Sequence, residues 1–234
     1  MSTTRIITNA ATAILLAAIS TGAQAEWKYQ VTPYLWASSL DGTTAVAGQE
    51  IDFTADFSDL VSNIDAGFAA NFTAQSETWG YFIDGNFVKL KADELGVKGG
   101  VDVAVDQKIV EAGISYSLSD QFRLYGGGRY QKVDEDINLP LNVSLNGGDS
   151  WIDGFIGVAW QPIDTDKWML RLSGDIGAGD SDSVWQGRIG GGYRFNKTWS
   201  VVLAYRYLST DFESNKFKWD VDQSGFGLGL GISW

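Results

Sequence analysis

RIGGGYRFNKTWSVVLAYRYL, residues 188–208, sets arginines between aromatic residues on both sides of a short polar break. Counted from Trp185, one set of alternate positions holds Trp185, Gly187, Ile189, Gly191, Tyr193 and Phe195, and the other holds Gln186, Arg188, Gly190, Gly192 and Arg194. Beyond the break, Trp199, Val201, Leu203, Tyr205 and Tyr207 alternate with Ser200, Val202, Ala204, Arg206 and Leu208. A period of two is the period of a strand. One face is a continuous apolar band ending in aromatics, and the other carries arginine and glycine. A soluble sandwich with arginines in water would give this pattern, and so would a membrane barrel with lipid outside and arginines in its lumen.

Length separates the two. Ten segments alternate in this way: 27–38, 64–76, 79–90, 101–118, 122–133, 151–160, 168–178, 184–195, 199–208 and 218–234. Most run 10–13 residues, close to the roughly 9–11 that a tilted strand needs to cross a bilayer and longer than the roughly 5–6 of soluble strands. Short breaks (77–78, 119–121, 161–167, 196–198) alternate with longer ones (39–63, 91–100, 134–150, 179–183, 209–217), as periplasmic turns alternate with extracellular loops. The expected fold is all-β: a transmembrane antiparallel up-and-down β-barrel of ten strands, with eight or twelve as alternatives. Residues 39–63 fit this least well. They contain an Asp41-Gly42 turn, a period-two patch at 49–57 and FSDLVSNID at 57–65, which reads as a short capped helical turn. A surface hairpin, a segment folded into the lumen and two further strands all remain open.

The last segment, QSGFGLGLGISW (223–234), places Phe226, Leu228, Leu230, Ile232 and Trp234 opposite Gly225, Gly227, Gly229 and Gly231. This ending resembles the carboxy-terminal assembly signal that the barrel-assembly machinery reads in bacterial outer-membrane barrels. At the other end, Arg5 precedes the apolar run AATAILLAAI (10–19), followed by Ala23-Gln24-Ala25. This reads as a signal peptide, 1–25, with an A-x-A cleavage site, because the apolar run is short of the roughly 20 residues of a spanning helix. Residues 26–234 then form one barrel domain.

Turning the apolar face outward fixes the rest. Ile64, Ala66, Phe68, Ala70 and Phe72 face lipid, as do Tyr81, Ile83 and Phe87 and then Val110, Ala112, Ile114, Tyr116 and Leu118. Inward fall Asp84, Glu111, Arg123, Arg129, Asp153, Arg171, Asp175, Arg188, Arg194 and Arg206. That set includes every arginine after Arg5, which is expected because an arginine facing lipid at mid-membrane costs about 2–4 kcal/mol. Planar guanidinium forks suit carboxylates, so these residues read first as an ion-pair lattice filling the interior. The sharper reading makes the surplus positive charge, with Lys28, the lining of a small anion-attracting passage. Glycines 126–128 and 225–231 would widen such a passage or relieve crowding where the sheet bends. Trp27, Trp79, Trp151, Trp168, Trp185 and Trp199 at strand starts, with Trp160 and Trp234 at strand ends, match the aromatic girdles of membrane barrels.

The long breaks are acidic: Asp41, Glu50, Asp52, Asp56 and Asp59, then Asp134, Glu135, Asp136 and Asp149, then Asp211 and Glu213. They read as a solvated surface, with divalent cations near lipopolysaccharide as the alternative. The net charge of −12 argues against nucleic acid as a partner. Neither histidine nor cysteine occurs, so Ser–His and Cys–His nucleophiles and His-ligated metal sites are excluded. No enzyme, cofactor or metal is expected.

VTPYLWASSLDGT (31–43), FSDLVSNIDAGF (57–68) and GGGYRFNKTWSVVLAYRYL (190–208) resemble a group of proteobacterial outer-membrane barrel proteins within the small porin-like class. The likeness runs over nearly the whole chain after residue 25. It implies fold and location in the outer membrane of a Gram-negative bacterium, and no catalytic or binding residue is carried over. Two function classes follow: a structural or weakly pore-forming barrel with a charge-paired lumen, or a surface recognition or adhesion module acting through its acidic loops. The implied partners are membrane lipid and lipopolysaccharide, the assembly machinery during biogenesis, and small solutes.

Overall fold

A computed structural model describes residues 26–46, 48–55, 64–92, 102–139 and 143–234. The expected leader and the expected helical turn at 57–65 fall wholly or largely outside them. Among the described residues, eleven strands form one antiparallel sheet: β1 (Lys28–Val46), β2 (Gln49–Ala55), β3 (Ile64–Gln75), β4 (Trp79–Ala92), β5 (Asp102–Ser117), β6 (Phe122–Leu139), β7 (Val143–Asp164), β8 (Trp168–Gly179), β9 (Ser183–Arg194), β10 (Trp199–Glu213) and β11 (Phe217–Ser233). Neighbours in sequence pair as hairpins from β3 onward, and β11 pairs with β1 to close the cylinder. Ten strands make the closed wall, as the alternation predicts. The additional strand, β2, folds back on the upper half of β1, from Leu40↔Ala55 to Val46↔Gln49. It is a hairpin turned through Gly48, whose φ of 78° is a conformation that glycine adopts without strain. Residues 39–63 are therefore partly strand.

The lower wall is inside-out relative to a soluble protein. Leu35 (70 % exposed), Phe68 and Ile176 stand on the outer surface, where only hydrocarbon makes such exposure favourable. Trp79, Trp168, Phe195, Trp199 and Trp234 rim the periplasmic end, and stacked pairs such as Tyr29–Trp234 (5.9 Å) and Phe122–Trp160 (6.1 Å) continue the girdle. The side chains of Ile64 and Ala66 are not among those described.

Higher up, the pattern changes sign without losing register. In β11, FKWDVDQSGFGLGLGIS, Phe226, Leu228 and Leu230 face outward in the lower half, whereas in the upper half Phe217, Trp219 and Val221 are buried inside and Asp220 faces out. β1 does the same. Tyr34 points inward and Leu35 outward below, while Leu40 and Val46 are buried inside above, and Asp41 and Thr43 face outward to bond Thr54 and Asp52 of β2. The cause is the change of surroundings. In hydrocarbon the apolar face turns out, and in water it turns in. Strands recognised by an apolar outer face therefore end, on paper, at the membrane surface. β1, β6 and β7 instead run 19, 18 and 22 residues, so most of the breaks expected at 134–150 and 209–217 are strand.

This projecting wall has its own core. Leu40, Val46, Val105, Val133, Trp151, Phe212, Phe217, Trp219 and Val221 pack together, with Ile51, Phe53, Val88 and Leu145 against them. Trp151 and Phe212 stack at 4.3 Å, so Trp151 is a core residue and not the girdle residue its position at a strand start suggested. β7 crosses to meet β1 and β11, and a Cβ on Gly147 would lie 2.7 Å from Val46 Cγ1. The outer end of the cylinder is thus filled. The glycines do not widen it: a Cβ at Gly225 would overlap the Ala37 carbonyl oxygen, so that glycine serves close strand approach.

Candidate functional site

Below the apolar cap lies a layer of charge. Asp84, Glu111 and Arg129 are direct cross-strand neighbours on β4, β5 and β6, and Arg188 and Arg206 face each other on β9 and β10. Alternation turns all five inward, where the cylinder is narrow enough for opposite walls to touch. Glu111 is the hub. It accepts from Arg129 Nε at 2.9 Å, Arg206 Nη2 at 2.9 Å, Arg188 Nη2 at 2.7 Å and Gln186 Nε2 at 3.3 Å. Asp175 accepts from Arg129 Nη2 at 2.7 Å, Gln186 Nε2 at 3.1 Å and the Tyr125 hydroxyl at 3.0 Å. Asp84 accepts from the Tyr34 hydroxyl at 2.8 Å and Asn71 Nδ2 at 3.2 Å, with Arg206 Nη1 3.9 Å away. The Gln186 carbonyl oxygen accepts from both Arg188 and Arg206. Three guanidiniums meet three carboxylates, and the layer is neutral. Arg129 also lies over the Phe155 ring at 4.9 Å and Arg206 over Trp36 at 4.5 Å, contacts that favour a desolvated cation. Arg129 and Glu111 are fully buried, so this layer is a plug of side chains.

Four of the ten residues expected in the network lie outside it. Asp153 is buried and inward, opposite Arg129 in register, but its Oδ1 accepts from the Ser181 backbone N–H at 3.0 Å in the β8–β9 turn. Arg129 is already committed to Glu111 and Asp175. Arg194 reaches the periplasmic rim, where Nη2 bonds Asp164 Oδ1 at 2.7 Å. Arg123 bonds the Ser76 carbonyl at 3.4 Å and, with the Gln75 amide suitably oriented, the Gln75 side-chain oxygen. Arg171 makes no hydrogen bond or ion pair among the described residues, and the charges that act on it are Arg123 and Arg188. Parity told which wall each residue faces but not its height, and height selects its partners. The neutral members, Gln186, Tyr34 and Tyr125, escaped a search for charges. Their signal was their place on the inward alternation.

One ionisable group sits in the cap. Glu135 lies on β6 above the lipid band, level with the outward Lys132 and Asp134, which pair at 2.6 Å. Its Oε2 is 2.8 Å from Thr44 Oγ1, which is also 3.0 Å from the Lys218 carbonyl oxygen. Thr44 Oγ1 donates to the ionised carboxylate, and when Glu135 is protonated the carboxyl donates instead, leaving the Thr44 proton to Lys218 O. Burial pushes the Glu135 carboxyl up to about 7, against a small opposing effect of Thr44. Through Thr44 the carboxyl ties β6 to β1 and β11 across the barrel.

Phe226, Leu228, Leu230 and Trp234 stand exposed on the outer face of β11, and Trp234 exchanges backbone hydrogen bonds of 3.1 Å with Tyr29 at the seam. Among the described residues, no group of three or more acidic side chains is placed to hold a metal ion.

Among solved structures the chain is similar to OmpT, an outer-membrane protease of Escherichia coli (9 % identity, 91 % of this chain and 98 % of that one, TM-score 0.47). It is also similar to Ail, the attachment invasion locus protein of Yersinia pestis, in complex with sucrose octasulfate (12 %, 91 % and 100 %, TM-score 0.40). Neisserial surface protein A is a third (13 %, 90 % and 99 %, TM-score 0.34). No curated protein matches the sequence. The model of the outer membrane protein beta-barrel domain matches residues 10–233, and with a closed antiparallel barrel, a lipid-facing apolar band and a charge-paired interior in place, the chain belongs to that family and resides in the outer membrane.

Proposed function

We propose that this protein is a structural, non-conducting envelope barrel that holds a rigid platform above the outer membrane. What supports this is the succession of fillings along the lumen: the neutral Arg–carboxylate plug, then the dry cap in which Val46, Trp151 and Trp219 are about 1 % exposed. An ion crossing both layers would have to displace close-packed side chains, and interiors at such density transmit nothing without rearrangement. Purified protein in planar bilayers at pH 6 is expected to be silent at high protein load. Stepwise conductance there would overturn the reading and favour a weak pore, in which case neutralising Arg129 or Arg188 should change the step size.

A second reading, surface recognition, is favoured by the outer face of the platform. Asp211 and Asp220 are directly opposite on β10 and β11, as are Asp41 and Asp222 on β1 and β11. Burial, Asp220 and Asp182 raise the Asp211 carboxyl above the usual range. Facing like charges cost stability, so an acidic wall on a firm core suits a role in binding cations shared with lipopolysaccharide. Changing Asp41, Asp211, Asp220 and Asp222 together to asparagine is expected to lower calcium-dependent retention of lipopolysaccharide without altering the folded barrel's gel mobility. Unchanged retention would remove this reading.

The exposed face of β11 suits docking to the assembly machinery. Deleting Trp234 removes its ring from Tyr29 and the two backbone bonds at the seam. The expected result is a severalfold fall in heat-modifiable, membrane-inserted protein in cells, with in vitro refolding into detergent much less affected. Equal losses in both would assign Trp234 to stability instead.

A further inference from the structure

We propose that the periplasmic half of the lumen is a blind receptacle for a small multivalent oxyanion, with Arg171 and Arg123 as its binding groups. Every acid that the inward alternation places in the membrane-spanning part lies at or above the plug: Asp84, Glu111 and Asp175 within it, Asp153 higher. Below them the inward positions are cationic or neutral except at the rim, where Asp164 lies opposite Met169 and is held by Arg194. Lys28 stands on β1, Arg123 on β6 and Arg171 on β8, between hydroxyls and amides such as Gln30, Thr73, Ser173 and Ser200. Among the described residues Arg171 pairs with no carboxylate, and the groups whose fields reach it are Tyr125 and the cations Arg123 and Arg188. Arg123 is engaged only by uncharged oxygens. Arg188 keeps 30 % of its side chain accessible, and its Nε has no partner. Ser200 is 4 % exposed, and its hydroxyl also has none.

Positive groups gathered within a barrel wall repel one another, and Arg171 stands open to solvent in the lower lumen, where an anion can reach it. The plug above is neutral and offers no spare carboxylate. An oxyanion entering from the periplasm would supply the missing charge, with guanidinium forks giving paired N–H donors. Phosphoryl and polycarboxylate solutes share this chemistry. Occupancy from the periplasmic side does not depend on whether the cap conducts, and binding is measured apart from conductance.

The test is calorimetric titration of the full barrel in non-ionic detergent at low salt with inorganic pyrophosphate and, separately, citrate. Binding by at least one probe is expected, weakening with added salt and falling ~tenfold or more in Arg171→Gln, as the loss of a charge-assisted pair implies. Pyrophosphate alone would mark a phosphoryl ligand, and citrate alone a carboxylate one. Arg194→Gln, which breaks the rim contacts with Asp164 and the Thr165 carbonyl, should bind as the wild type does. Absence of binding by both probes, or equal affinity in Arg171→Gln, overturns the proposal. Because Arg171 bonds nothing among the described residues, its variant is expected to keep the folded gel mobility and so remain testable.

Discussion

Glu111→Leu is expected to destabilise the barrel by about 3–5 kcal/mol, the usual loss when one partner of a buried ion pair is removed. The reason lies in the distribution of acceptors. Arg129, Arg188, Arg206 and Gln186 all donate to this one carboxylate. With leucine there, three guanidiniums share Asp175 and Asp84, of which Asp84 is 3.9 Å from its nearest guanidinium nitrogen and already holds the Tyr34 hydroxyl. Arg206 and Arg188, opposite each other in register, would then repel at short range without the group that separates them. Glu111→Gln keeps the shape but not the charge and should fall between leucine and wild type. Asp84→Asn should cost less than either, since most of its contacts are hydrogen bonds from neutral groups. Urea unfolding in detergent, followed by gel mobility and tryptophan fluorescence, ranks the variants. A loss below about 1 kcal/mol for leucine, the size of a surface pair, would mean that the plug is hydrated and that the lumen is not sealed there.

How much of this was legible in the sequence follows from what alternation encodes. Period two and the aromatic-ended bands gave the strand class, the cylinder and the side each residue faces, and all six arginines after Arg5 do lie on the inward alternation. Three features escaped for physical reasons. The β6–β7 and β10–β11 extensions carry the same period with the opposite sign, so a rule tied to an apolar outer face stops at the membrane surface. Trp219, Trp151 and Phe212 were the available signal, being aromatics that alternate with Asp220, Ser150 and Asp211 near apparent loops. Partner choice across the lumen depends on the tilt and height of strands far apart in sequence: Glu111 and Arg206 are 95 residues apart. Asp153 and Arg194, correct in sidedness, were therefore assigned to a network that the fold places at another level. Residues whose role is neutral hydrogen bonding, such as Gln186, are invisible to charge counting even though Gln186 joins two carboxylates and two arginines.

The cap should loosen as pH rises, with Glu135 as the cause. Its ordinary carboxyl value is 4.5, and burial in the closed cap lifts it to about 7. Below about 4.5 the group is protonated whether the cap is closed or open, and the closed form keeps its full stability. Between 4.5 and 7 the open form releases the proton while the closed form retains it, so each step up in pH favours opening. Above about 7 the loss is complete, on the order of 3 kcal/mol. Among the described residues no other charge offsets it, and the side-chain contact to the carboxyl is Thr44. From β5 the residue opposite is Val105 and from β7 it is Gly147. Asp149, the nearest inward acid on β7, is engaged with the Ser150 backbone N–H, and Lys218 of β11 presents its carbonyl while its ammonium pairs with Glu50 outside at 3.6 Å. Glu135→Gln supplies a permanently neutral donor to Thr44 and should leave the cap equally closed at pH 5 and pH 8. Hydrogen exchange of the upper β6 and β7 amides, corrected for intrinsic rates, reads this directly. Wild-type protection is expected to fall by about a hundredfold across that range, the equivalent of that free energy at 1.4 kcal/mol per tenfold, while the glutamine variant stays flat. Parallel curves for the two proteins would show that the carboxyl is already ionised in the closed cap and that the Thr44 contacts are satisfied in some other way.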